Sequence, residues 1–449
     1  MKIRRILSVF LLAALLSGLF CLPRAYAISD PDIKAKAALL VDGNTGMVLY
    51  DKNAHTQQYP ASITTIMVML LVLEAVDRGD LRLDQPITAT ASALADLTED
   101  SSTADIVEGE TLTVEQLLYC MMVVSANEVG NIFAETIDGS SAAFVERMNQ
   151  RAQELGCENT HFVNTSGLHD PQHYTSAWDI YLITKEAMKY PLFMTVCDSK
   201  SYTVPATNKS EERELHSTNC LISNWRVLGY IYDDAHGIKT GTTDEAGHCL
   251  VSSAVRGDRS LISVVLGATL DKDDRVMSFT ETSRLFDWGF DNFAPLTVLE
   301  EDKLYAVPVS LSKETDTVMA HPKATTQVVL PKDLDPETDL TYTLDLPESV
   351  EAPITTGDVL GSVTVSYDGQ DYVTVPLLAL SDVSSSSFLV GRNAVQTFLS
   401  RTIVKVAIAA LVVLIVLLLI WLKLIRPKRR YGRGGKRYRR TPTYRGRRR

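Results

Sequence analysis

From Val406 to Leu422 the chain is unbroken apolar sequence. Extended to Thr402–Ile425, the run makes a helix of about 36 Å at ~1.5 Å per residue, long enough to cross a bilayer. Lys405 and Lys423 sit near its ends, where their stems can reach the interface. The tail at 426–449 is dense in Arg and Lys and holds no acid. The positive-inside rule places that tail in the cytoplasm and residues 28–400 outside. The N-terminus agrees. Lys2, Arg4 and Arg5 precede an apolar run from Ile6 to Leu22, and Ala25-Tyr26-Ala27 is a small-x-small cleavage site. Residues 1–27 therefore read as a secretory signal peptide, cut after Ala27; an uncleaved anchor would leave the same segment outside. What folds is the stretch between.

That stretch is strongly acidic. Residues 28–400 hold all 55 Asp and Glu but 24 of the 44 Lys and Arg, a net charge of −31 hidden under −11 for the whole chain. Such a domain has little attraction for anionic lipid or wall polymers, so the helix at 402–425 must tether it. The basic tail could bind nucleic acid, but topology and anionic lipid account for it first. Cys120, Cys157, Cys197, Cys220 and Cys249 are odd in number and irregular in spacing. They make neither a disulfide framework nor a metal site and are expected as buried small hydrophobes.

The pattern of elements gives an α/β domain with an antiparallel sheet and a helical middle. Two β-like runs flank Asp42-Gly43 between Ile33 and Tyr50, a hairpin signal. Tyr59-Pro60-Ala61-Ser62 opens a long helix, apolar almost all round and so buried, with Ser62 in its first turn. Leu112–Val124 is helical in pattern and ends at Ser125-Ala126-Asn127, where a second helix, Glu128–Ile137, follows. A Ser-x-Asn between helices can aim both polar side chains into a cleft; the bland alternative is an ordinary N-cap serine. His169 and His173 lie in a polar loop before a helix at Ala177, with no third metal ligand near them. Lys239-Thr240-Gly241 stands at the start of a β-branched, apolar run, Cys249–Val255, that reads as a strand and turn; Leu261–Leu270 is a neighbouring strand, and Thr280–Phe290 is a closing helix. From Leu296 to Leu380 the helical period disappears. Short Val/Thr/Leu runs and a hairpin at Val363–Val375 indicate a small all-β domain, followed by a Ser-rich linker and membrane approach at 381–401.

Chemistry concentrates in the strand at Lys239. A glycine lets a substrate backbone come close, the lysine offers positive charge, and the Thr240 hydroxyl offers a hydrogen bond to a carboxylate. Ser62 at a helix start, Ser125-Ala126-Asn127 between helices and Lys239-Thr240-Gly241 on a strand together resemble the D-alanyl-D-alanine carboxypeptidases, the low-molecular-mass penicillin-binding proteins. The likeness spans residues 30–380 and includes Gly167-Leu168-His169-Asp170 and His173-Tyr174-Thr175-Ser176-Ala177. It implies a catalytic domain over 28–293, a β-rich domain over 296–380, and no cofactor or metal. It also implies Ser62 as the nucleophile on the peptide bond between two terminal D-alanines of a peptidoglycan stem peptide, with β-lactams acylating the same serine. Ser125, Asn127 and Lys239 then belong to the catalytic set. Thr240, Gly241, Thr242 and, more loosely, Arg275 bind the substrate.

One position departs from the pattern. The lysine three residues after the nucleophile is replaced by Thr65, and no lysine lies between Lys52 and Lys185 to stand in. A serine hydroxyl is a poor nucleophile until a base takes its proton. Position 65 shares a helix face with Ser62 at i+3, and a threonine hydroxyl has no useful basicity there. Lys239, in the family, faces the substrate carboxylate and is expected to stay protonated. Two readings stand: a carboxypeptidase in which Lys239 or Ser125 activates Ser62, its turnover impaired, or a degenerate member that binds stem peptides or scaffolds envelope partners. A β-lactamase suits the β-domain and tether less well.

Overall fold

The computed structural model describes residues 28–98 and 101–425. The segment read as a signal peptide, 1–27, and the basic tail at 426–449 lie outside the described residues. Two compact units emerge: one takes in the chain through Thr297 with Gln327–Asp339, the other Val298–Thr326 and everything from Leu340.

The first unit is built on a five-stranded sheet. Its strands are β1 (Ala37–Asp42), β2 (Val48–Lys52), β3 (Ala235–Thr243), β4 (Gly247–Arg256) and β5 (Arg259–Ala268), in the order β2-β1-β5-β4-β3. Every neighbouring pair is antiparallel, and β3 is an edge. β1 is buried at all its positions, which its Ala-Ala-Leu-Leu-Val sequence anticipates for a strand covered on both faces. The alternation of side chains explains the two cores. Leu39, Val41, Val251, Val264 and Leu266 pack into a helical layer, whereas Ala38, Leu40, Leu250, Leu261 and Val265 meet Leu285, Phe286 and Phe290 of the closing helix.

The helical layer is ordered by α1 (Thr65–Asp77), α2 (Val114–Val123), α3 (Asn127–Asp138), α4 (Ser141–Glu154), α5 (Ala177–Ala187) and α6 (Pro191–Cys197). α1 buries every side chain from Thr65 to Leu73. A single 3-10 turn, Ala61–Thr64, precedes it, so Ser62 sits just before the α-helix instead of within its first turn. α2 begins where Thr113 and Gln116 form a reciprocal capping box. The closing helix α7 runs Met277–Asn292, beyond the sequence boundaries at both ends.

The second unit is β-rich, with no helix between Leu296 and Leu380. Its six-stranded sheet comprises β6 (Tyr305–Ser310), β7 (Thr317–Pro322), β8 (Thr341–Asp345), β9 (Val350–Glu351), β10 (Val359–Tyr367) and β11 (Gln370–Ala379), ordered β8-β10-β11-β7-β6-β9. The β10–β11 hairpin turns at Asp368-Gly369, both at positive φ, the pairing that favours this sequence in a two-residue turn.

The segment read as a linker, 381–401, holds a helix, α8 (Ser387–Ser400). The Ser386 hydroxyl accepts from the Leu389 N–H and caps it, so one of the linker serines starts a helix. α9 (Thr402–Ile425) follows, with a mean hydropathy of 3.3 and none of its surface buried. It is long and apolar enough to cross a membrane.

Candidate active site

Three segments line one cavity of 270 Å³: Ser62 from the turn before α1, Ser125 from the α2–α3 connection, and Thr240, Gly241 and Thr242 from β3. Each is held by a local device. Ala61 adopts φ 50°, a conformation uncommon without glycine, which turns the chain sharply before Ser62. That turn is braced from below. His173 Nδ1 accepts from the Val163 N–H at 3.2 Å, so Nε2 carries the proton and donates to Thr64 Oγ1 at 2.8 Å. Thr64 in turn donates to the Ala61 carbonyl at 2.9 Å. Burial keeps His173 neutral, pushing its pKa down to about 4. Neither the histidine nor Thr64 carried a sequence signal for this role; partners 109 residues apart meet only in the fold.

Two glycines fit the same turn closely. A Cβ on Gly167 would lie 1.8 Å from the Ala61 carbonyl oxygen, and its φ is 83°. A Cβ on Gly241 would lie 2.9 Å from the Pro60 oxygen and 3.0 Å from the Ser62 nitrogen, so the edge strand passes the serine only because position 241 lacks a side chain.

Ser125 is not a helix cap. Ala126 occupies the N-cap of α3 and makes no side-chain capping bond, while Ser125 sits at φ 66°. Its Oγ lies 2.8 Å from Lys239 Nζ, and Lys239 Nζ also reaches the Thr240 carbonyl at 2.9 Å. Lys239 is 1 % exposed. Burial pushes its pKa down to about 7, well below that of an ordinary lysine, because a cation without a carboxylate partner is costly to keep dry.

Thr65 is buried, and its hydroxyl donates to the Ser62 carbonyl oxygen at 2.8 Å, with Met122 Sδ 3.8 Å away. The hydroxyl is occupied by its own helix turn, as threonines in helices often are. Asn127 lies near the groove without lining it. Its N–H donates to the Ser102 carbonyl at 2.9 Å and its Oδ1 is buried with no donor. Arg275 does not line the cavity either; its guanidinium stands over the Tyr230 ring at 5.4 Å. Arg226 lines it instead, together with Ser102, Thr218 and His248, none of which the motifs single out. Thr218 and Thr240 pair through their hydroxyls at 2.6 Å, and His248 Nδ1 faces Thr242 Oγ1 at 3.3 Å. Cys220 and Cys249 also line the cavity, but burial raises both thiols, Cys249 to about 11, so neither is a ready nucleophile. A larger cavity of 350 Å³ is walled by Arg147, Arg151, Glu74 and Glu154 and carries no nucleophile; Arg151 is paired with both of those glutamates.

A serine at a helix start, a second serine hydrogen-bonded to a lysine, and a glycine-relieved edge strand form one groove. Residues 24–270 match the family model described as D-alanyl-D-alanine carboxypeptidase. The chain belongs to this family. Residues 293–385 match the model of the penicillin-binding protein 5 C-terminal domain. Among curated D-alanyl-D-alanine carboxypeptidases, DacF of Bacillus subtilis is 31% identical over 402 residues, covering 87% of this chain and 97% of the relative. DacC of Escherichia coli is 30% identical over 375 residues, covering 82% and 89%. The crystal structure of penicillin binding protein 5 from Haemophilus influenzae superposes with a TM-score of 0.64 at 29% identity, covering 80% of this chain and all of that one. Within the carboxypeptidase family the fold is thus a penicillin-binding-protein fold with a C-terminal all-β domain.

Proposed function

We propose that this chain is a membrane-tethered serine D-alanyl-D-alanine carboxypeptidase-like protein of peptidoglycan metabolism, in which Ser62 forms the acyl-enzyme slowly. The observation that carries it is the convergence of Ser62, Ser125 and the Thr240–Thr242 edge on one 270 Å³ groove. A stem peptide lies along the open edge of β3, its terminal carboxylate toward Thr240 and Thr242. Ser62 Oγ attacks the carbonyl between the two D-alanines. The C–N bond breaks, D-alanine leaves with a proton, and water hydrolyses the ester. Penicillins present a strained amide to the same serine. The α9 helix and the basic tail hold the protein at the membrane with residues 28–400 outside.

A second reading, a binder of stem peptides that does not turn over, is favoured by Thr65, whose hydroxyl is committed to the Ser62 carbonyl and can take no proton from the nucleophile. Two measurements separate the readings: covalent labelling by a fluorescent penicillin, and release of D-alanine from a peptide ending in D-Ala-D-Ala. Weak labelling lost in Ser62→Ala supports the slow enzyme. Peptide binding with no label supports the binder. Strong, rapid labelling of the unaltered protein would refute the impairment.

A further inference from the structure

We propose that Lys239, acting through Ser125, is the proton acceptor for Ser62 in this chain, taking over a task that the side chain at 65 cannot perform. The inference rests on the functional reading above and concerns how the same groove works.

One link of the relay is a formed hydrogen bond, and the other is a shared cavity. Ser62 and Ser125 open into the same cavity, and Ser125 Oγ is 2.8 Å from Lys239 Nζ. A neutral amine has two N–H groups and one lone pair. One N–H donates to the Thr240 carbonyl at 2.9 Å. The lone pair is then available to the Ser125 hydroxyl, whose oxygen can receive the Ser62 proton. The positive φ of Ser125 aims its side chain away from the α3 cap and toward the lysine.

The surroundings favour the neutral amine. Among the described residues no carboxylate pairs with Lys239. The titratable groups that act on it are the Cys197 thiol of α6, itself held protonated by burial, and Arg226, whose charge repels a second cation. Asp198, the next residue after Cys197, is occupied by His236 Nδ1 at 2.8 Å and the Gly237 N–H at 3.1 Å. The other base lining the groove, His248, is directed to Thr242.

The step balances. As Ser62 Oγ bonds to the substrate carbonyl carbon, its proton passes to Ser125 Oγ and the Ser125 proton passes to Lys239 Nζ. Collapse of the tetrahedral species breaks the C–N bond, and the proton returns from Lys239 through Ser125 to the departing amine nitrogen. The products are acyl-Ser62, free D-alanine and a neutral lysine.

The test is the pH dependence of acylation of the full-length protein by a fluorescent penicillin, run beside equilibrium binding of a D-Ala-D-Ala-terminated peptide. The acylation rate is expected to rise with pH through a midpoint near 7. Lys239→Arg, which keeps the charge and cannot give up its proton, is expected to lose about 100-fold in rate and to flatten the profile. Ser125→Ala is expected to lose about as much while retaining peptide binding. The relay is overturned if Lys239→Arg keeps the wild-type profile, or if the profile flattens in His248→Gln and persists in Lys239→Arg. Peptide binding by the unaltered protein with no acylation at any pH also overturns it and leaves the groove assignment standing. Loss of both would remove the functional reading as well.

Discussion

Two walls of the Ser62 groove differ in kind. The wall under the nucleophile is tightly specified: Gly167 against the Ala61 carbonyl, the Thr64–His173 pair, and Gly241 against Pro60 and Ser62. Among the described residues, the wall on the α1–α2 side holds no acid–base group. Thr65 is turned back on the Ser62 carbonyl, and Met122, a flexible filler, lies against it. Placement of a nucleophile and removal of its proton are therefore separable here. The first is built from sterics and backbone, the second from one titratable side chain. A groove can keep its shape and change its chemistry through a single position.

Restoring the missing base is the largest test of that separation. Thr65→Lys places an amine on the Ser62 face of α1, and a positioned base is worth on the order of 10²–10⁴-fold in rate. Met122 contacts the Thr65 hydroxyl, so the lysine stem needs space that the methionine occupies. Penicillin acylation is expected to rise about 100-fold in Thr65→Lys combined with Met122→Ala, and by less in Thr65→Lys alone, where overpacking costs about 1–3 kcal/mol. An equal or larger gain in the single variant would show that the wall is roomier than its contacts indicate.

The opposite wall should answer to a methyl group. Gly167→Ala meets the Ala61 carbonyl at 1.8 Å and must also adopt φ 83°. It is expected to lower stability by roughly 3–4 kcal/mol, through clash and backbone strain together. Thermal melts read the loss, and the fraction that stays folded is expected to acylate more slowly, because Ser62 is displaced with the turn. A wild-type melting temperature would contradict the tight fit.

How much of this was legible in the sequence follows the same division. Motif spacing carried the three segments to one groove: Ser62 and Ser125 sit beside helix ends, and Lys239 lies midway along the edge strand β3. Composition carried the β-rich region after Leu296 and the apolar run at 402–425. The helix at Ser387–Ser400 was hidden by its own cap, since a run of serines reads as linker until one of them is seen accepting from the Leu389 N–H. The brace under Ser62 was hidden for a different reason. His173 and Thr64 make a long-range contact that no local period encodes, and a histidine loop suggests metal before it suggests a hydrogen-bonded prop. The burial of Lys239 was hidden as well. Its charge could be read from the sequence, but its 1 % exposure could not.

The His173 brace carries its own pH signature. Its folded pKa, about 4, lies below the ordinary 6.5, so the unfolded chain binds the proton more readily. The contribution to stability is fully present above pH 6.5 and is lost as pH falls toward 4. Roughly 2–3 kcal/mol is at stake over that window. Chemical denaturation at pH 7 and pH 4.5 should show a steeper acid loss in wild type than in His173→Gln. The substitution itself costs stability at pH 7, because Thr64 loses its donor or Val163 its acceptor. Parallel acid losses would mean that other groups, and not the brace, set the acid limit.

Lys239 gives the smallest effect and the sharpest contrast, since here the functional wall works against the fold. The unfolded chain keeps the lysine protonated up to about 10.5, whereas the folded chain gives up that proton near 7. Between these values the unfolded state binds more protons. Folding therefore strengthens as pH rises from 7 to 10.5, and the burden of the buried amine is greatest below 7. Replacing it by an uncharged side chain of similar length removes that burden at the loss of two hydrogen bonds, to Ser125 and Thr240. Lys239→Met is expected to be about 2 kcal/mol more stable than wild type at pH 6 and no more stable at pH 10. Melts at the two pH values check the sign. A variant less stable at both would show that the lysine holds the α2–α3 turn to β3 more than it strains it, and the two walls of the groove would then be alike in serving the fold first.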